Sequence, residues 1–174
     1  RRKAVLRTVP VHQRRPDLIN EANIAESSRV YWKHHGILLV PIKADEMAET
    51  DIVWLSGQYA GLVNECKCRF RVKVTDYDLL IDKKKINAGI KEAERLNVRF
   101  LLTIWWGAQN GIGDDVAWAR WIDRDEASKF KVVLWGRNDE RDDNDIDPSY
   151  SIPTHTFTIA IPMLYERLRS PAST

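Results

Sequence analysis

The stretch "LVNECKCRF" sets an acid and a lysine two residues apart within what reads as a β-strand. Successive strand side chains turn to opposite faces, so Glu65 and Lys67 share one face while Cys66 and Cys68 share the other. An aspartate, Asp51, opens the preceding strand "DIVWL", and the turn "SGQYAG" folds the two strands into a hairpin. That hairpin brings Asp51 close to residues 65–67. Asp51 joins the Glu65 face only if it pairs opposite Glu65 or Lys67 rather than opposite Cys66. Two carboxylates on one face repel each other unless something neutralises them. Mg²⁺ or Mn²⁺ suits this role, because a hard dication takes carboxylate and carbonyl oxygens and often needs only two protein acids. A lysine beside such an ion can orient a water and stabilise negative charge growing on a phosphate. The chemistry these residue types imply is metal-assisted phosphodiester hydrolysis.

The elements that must position them follow from periodicity. Residues 1–16 are basic and aperiodic, and are expected to form an N-terminal arm. Residues 17–174 are expected to form a single domain. A helix is predicted from about Asp17 to His35, with Asp17 as cap and Gly36 as stop. Ile19, Ala22, Glu26 and Val30 fall at helical spacing, so they are predicted to line its inner face and to carry Glu26 towards the site. "GILLVPI" reads as a strand, with Pro41 arguing for a sheet edge. "DKKKINAGIKEAERLN" reads as a helix capped by Asp82, with Ile86, Ile90, Ala93 and Leu96 inside. "VRFLLTIWW" is a strand apolar enough to be buried on both faces. "VAWARWI" and "FKVVLW" are predicted to pair as a second hairpin around "DRDEAS". "GRNDERDDNDIDPSY" is predicted to be a long acidic loop, and "TFTIAI" a last strand. The whole reads as an α/β fold with a mixed sheet.

Charge and composition narrow the function classes. The 174 residues carry a net charge of only +2, yet the signs are segregated. Basic clusters at Arg1-Arg2-Lys3, Arg14-Arg15, 67–73 and Lys83-Lys84-Lys85 contrast with acids at 45–51 and 139–147, a pattern that suits an acidic pocket within a basic rim. Arg69, Arg71 and Lys73 continue the strand on the Lys67 face, a row suited to a phosphate backbone. Three lysines at a helix start oppose the helix dipole, so something negative such as a phosphate backbone is expected nearby, and Lys83, Lys84 and Lys85 are read as nucleic-acid-binding residues alongside Arg69, Arg71 and Lys73. Trp105 and Trp106 should point to opposite sheet faces, as should Trp118 and Trp121. The cysteines are too cramped against each other, and His34 and His35 too adjacent, for a structural zinc site, so the cysteines are read as core. No apolar run has the length of a membrane span, no leader is evident, and two cysteines on one strand face make no disulfide framework. An intracellular, cytoplasmic, reducing setting is expected.

Asp51, thirteen intervening residues and then "ECK" resemble the motif of the PD-(D/E)xK nuclease superfamily. The order helix, D- and ExK-bearing hairpin, helix, strand is similar to that family's core over roughly residues 17–106, and the later "GRNDERDDNDIDPSYSIP" is similar to loops of phage-type members. The resemblance implies a restriction-endonuclease-like fold, a central mixed β-sheet flanked by helices, with additional C-terminal strands. It implies Asp51, Glu65 and the main-chain carbonyl of Cys66 as ligands of Mg²⁺ or Mn²⁺, Lys67 as catalytic lysine, and Glu26 as first-helix acid, with Glu21 the competing choice. The expected activity is a metal-dependent endonuclease acting on nucleic acid, DNA before RNA. For a phage-encoded protein this would be in the host cytoplasm. A homodimer is compatible, since one cleft cuts one strand and a symmetric pair cuts two. A non-catalytic nucleic-acid-binding module on the same fold is the alternative, and an assembly protein a third.

Overall fold

The computed structural model describes residues 15–37, 39–43, 52–56, 59–69, 73, 77–109, 113–136 and 146–164. Helix α1 spans Arg15–His34, and strands β1 (Val40–Lys43), β2 (Ile52–Ser56) and β3 (Tyr59–Arg69) follow. Strand β4 (Asp78–Asp82) leads directly into α2 (Lys83–Leu96), then β5 (Arg99–Trp106) and β6 (Val116–Ile122). Helix α3 (Arg124–Lys129), β7 (Lys131–Gly136), β8 (Ile146–Pro153), a 3₁₀ turn at Thr154–Thr156 and β9 (Ile159–Pro162) complete the order. Among the described residues, no helix is long and apolar enough to cross a membrane.

The strands form a six-stranded sheet, β1-β2-β3-β5-β6-β9, and a three-stranded sheet, β4-β8-β7. The larger sheet is mixed. β3 and β5 run parallel, with Glu65 beside Leu102 and Lys67 beside Ile104, while its other pairs are antiparallel. Parallel neighbours need a crossover, and α2 supplies it. β1, which carries Pro41, is an edge strand, as a residue without an amide proton demands.

Two apolar clusters occupy the two faces of the large sheet. One holds Val63, Phe100, Leu102, Ile104 and Trp106 against Ile86, Ile90 and Ala93 of α2 and Leu79, Ile81, Tyr150 and Ile152 of the small sheet. The other holds Leu62, Cys66, Leu101 and Trp105 against Ile24 and Trp32 of α1. The expected α/β fold with a central mixed sheet flanked by helices is therefore present. β5 is buried along its length after Arg99, as its apolar run requires. The inner stripe of α2 also follows the sequence, and its cap, Asp82, accepts a hydrogen bond from the Lys84 amide at 2.7 Å. Gly89 lets this helix lie close on β5, since a Cβ there would fall 2.2 Å from the Phe100 ring.

Three expectations need correction. The inner face of α1 is not Ile19, Ala22, Glu26 and Val30: Ile19, Ala22 and Glu26 are exposed, and Asn20, Ile24, Ser27, Ser28 and Trp32 are buried instead. The buried face includes small polar side chains, one of which, Ser27, accepts a hydrogen bond from the Leu164 amide at 2.8 Å. A search for an apolar stripe therefore settles on the wrong side of this helix. Second, β6 and β7 are not a hairpin. The intervening "RDEASK" is α3, closed by a capping box in which Asp123 and Glu126 satisfy each other's backbone amides, and the strands on either side join different sheets. Third, the acidic stretch is a strand from Ile146 onward, and "DLLID" is a strand as well; together with β7 they build the unforeseen small sheet.

Candidate active site

Alternation along β3 sends Val63, Glu65 and Lys67 to the α2 side and Leu62, Asn64 and Cys66 to the α1 side. The Asn64 side chain is held there by Thr103, whose hydroxyl donates to Asn64 Oδ1 at 2.9 Å. Cys66 is buried and Cys68 half-buried, both as free thiols, so the expectation that they serve the core holds.

On the opposite face, Glu65 is fully buried, and Lys67 Nζ lies 2.7 Å from its Oε1. A second ammonium approaches from the helix: Lys85 Nζ is 3.8 Å from the same oxygen. A buried carboxylate is costly unless charges of opposite sign and hydrogen bonds surround it, and two elements deliver those charges here. The sheet contributes Lys67 through the i, i+2 spacing on one strand. Helix α2 contributes Lys85 because Asp82 fixes where its first turn begins.

The basic run at that helix start finds its negative partners within the chain. Lys84 Nζ pairs with Asp147 Oδ1 at 2.8 Å, which holds its pKa up. Lys83 lies over the Tyr150 ring at 5.6 Å, and Lys85 faces Glu65. The adverse dipole position is thus offset by Asp147 and Glu65. The other cations differ from the expected row. Arg69 turns its guanidinium to the carbonyls of Cys68 and Leu80, at 3.1 and 3.2 Å. Lys73 sits over the Trp118 ring at 3.9 Å, where burial lowers its pKa. Arg71 lies outside the described residues.

Lys67, Arg69 and Lys85 line a cleft of about 330 Å³, together with Leu80, Asp82, Trp135, Asp147 and Ser149. Its walls come from both sheets and from α2. The small sheet borders the site and brings Trp135, Asp147 and Ser149 to it, which no motif in the sequence indicates. The one available signal, a period-two pattern in "YSI", lay hidden behind an acidic segment.

Other expected residues lie apart from this cleft or outside the description. Asp51 lies outside the described residues. Glu26 is exposed and forms an ion pair with Arg29 at 2.6 Å, which lowers its pKa. It therefore does not point inward, and the side chain of Glu21 lies outside the description. Trp105 and Trp106 face opposite ways as expected, and both are buried. Trp118 and Trp121 likewise belong to opposite faces, with Arg99 stacked on Trp121 at 3.9 Å.

Among the described residues, no group of three or more His, Cys, Asp or Glu side chains could hold a metal ion. Glu65 is one oxygen donor of the kind Mg²⁺ and Mn²⁺ accept, and the two ammonium groups beside it occupy the place a cation would compete for. No protein-family model matches the chain, and no curated protein matches it.

Proposed function

We propose that the chain is a metal-dependent nuclease of the PD-(D/E)xK kind, hydrolysing phosphodiester bonds of nucleic acid, DNA before RNA. The observation that carries this reading is the buried Glu65 carboxylate, 2.7 Å from Lys67, behind a cleft that Lys67, Arg69 and Lys85 line. The order of elements supports it: helix, antiparallel hairpin, crossover helix, and a strand parallel to the one bearing Glu65 and Lys67.

In this reading Asp51, Glu65 and the Cys66 carbonyl would hold the ion. Antiparallel pairing adds one residue to each strand per step. A ladder carried one step past Ile52↔Asn64 would face position 51 with position 65, and the proposal requires that step. A bound Mg²⁺ or Mn²⁺ would supply an activated water and neutralise charge on the phosphate. Lys67 would orient the attacking water and stabilise charge developing on the phosphoryl oxygens. Lys85 assists by holding the Glu65 carboxylate in place, and Arg69 adds positive field to the cleft. Glu26, turned to solvent, receives no catalytic role. Cutting both strands of a duplex from one cleft calls for a second copy.

A non-catalytic nucleic-acid-binding module is the second reading, favoured by the pairing of Glu65 with two lysines, Lys67 and Lys85. Incubation with linear, circular, single-stranded and four-way-junction DNA, in Mg²⁺, Mn²⁺ or chelator, separates the two. Cleavage that needs the metal supports the nuclease; binding with no cleavage of any substrate overturns it in favour of the module.

A further inference from the structure

Trp135 is 57% exposed in β7, where Val132 and Leu134 are exposed as well, and a large indole rarely stays open to water without a partner. It pairs across the ladder with Asp147, so the two side chains share a face of the small sheet, and both border the cleft that Lys67, Arg69 and Lys85 line. An open aromatic plane and three cations thus share one cavity. Cations along a groove track a phosphate backbone, and an adjacent aromatic face takes the base attached to it. A base can lie flat on an indole only when it has left its duplex stack. Trp106, Trp118 and Trp121 do not offer this, because the first is buried and cations already cover the other two.

Resting on the nuclease reading for its substrate, we propose that Trp135 is a stacking platform for an unpaired nucleotide. The site then prefers DNA with a single-stranded segment over fully paired duplex. Such stacking tolerates any base, so the preference is for strand state rather than for sequence.

The test is fluorescence anisotropy with the full chain and Ca²⁺ in place of Mg²⁺. The probes are a short single-stranded oligonucleotide and a blunt hairpin duplex of equal length. The single-strand to duplex affinity ratio should fall about tenfold in Trp135→Ala and be restored in Trp135→Tyr. Far-ultraviolet circular dichroism checks that the exposed-site variants fold. An unchanged ratio in Trp135→Ala overturns the stacking role, as does a wild-type chain that favours the duplex. Cleavage in Mg²⁺ is scored separately. A Trp135-dependent ratio without any cleavage keeps the platform and removes the nuclease; cleavage with an unchanged ratio does the reverse. Absence of binding to either probe overturns the platform.

Discussion

Glu65 Oε1 lies 2.7 Å from Lys67 Nζ on its own strand and 3.8 Å from Lys85 Nζ on the crossover helix. One fully buried oxygen thus ties the β3 strand to the first turn of α2. This relationship makes the acid hard to remove cleanly. Deleting Lys67 leaves a buried charge with less compensation, a change that costs up to roughly 3–5 kcal/mol. Replacements that keep the side-chain shape are therefore used at Lys67, Lys85 and Glu65 themselves.

Lys85 should matter to activity without being the principal lysine. Lys85→Met removes the more distant ammonium and leaves the Lys67 pair intact. Cleavage should fall by roughly 10- to 100-fold, less than the roughly 10²–10³-fold expected for Lys67→Met. Single-turnover rates measure both, and equal losses in the two variants would remove the ranking.

The two sides of α1 should respond in opposite ways. Ile24 is fully buried against the large sheet, so Ile24→Ala should cost about 2–5 kcal/mol in urea unfolding. Glu26 is exposed and paired with Arg29 of its own helix, so Glu26→Ala should change stability by no more than about 0.5 kcal/mol. It should also leave cleavage at the wild-type rate. A catalytic loss in Glu26→Ala with normal stability would return that acid to the site.

Acid should loosen the junction between α2 and α3. Arg124 bonds Glu94 across these helices at 2.6 Å, and its guanidinium lowers the Glu94 pKa from the ordinary value of 4.5. A carboxyl whose folded pKa lies below its unfolded one adds stability above the unfolded value and loses it as pH falls through the folded one. Glu94→Gln should therefore lower the melting temperature slightly at neutral pH, with the difference from wild type vanishing in acid below the folded pKa. A difference that grows on acidification contradicts the assignment.

Much of this arrangement was legible in the sequence, and the failures have physical causes. Period-two alternation placed Glu65 and Lys67 together, because strand geometry leaves no other choice once the strand is recognised. The apolar run of β5 and the Asp82 cap of α2 were equally plain. The face of α1 was misread because Ser27, Ser28 and Asn20 are small and polar, yet buried. A phosphate backbone is the partner expected for Lys83–Lys85, whereas within the chain Asp147 pairs with Lys84 and Glu65 with Lys85, from distant parts of the sequence. No local pattern could announce that pairing, because it depends on how the small sheet closes over α2. The Asp123–Glu126 capping box was visible as D-x-x-E, and weighing it above the hydrophobic runs on either side would have yielded α3 in place of a hairpin.

The central claim is tested most directly by incubating wild type and Glu65→Gln with single-stranded and junction DNA, in Mg²⁺ or Mn²⁺ and again in chelator. The prediction is cleavage by wild type that needs the metal and disappears in Glu65→Gln, while the variant still binds the DNA. Cleavage by Glu65→Gln at the wild-type rate, or a folded wild-type chain that cuts neither substrate with either metal, would contradict it.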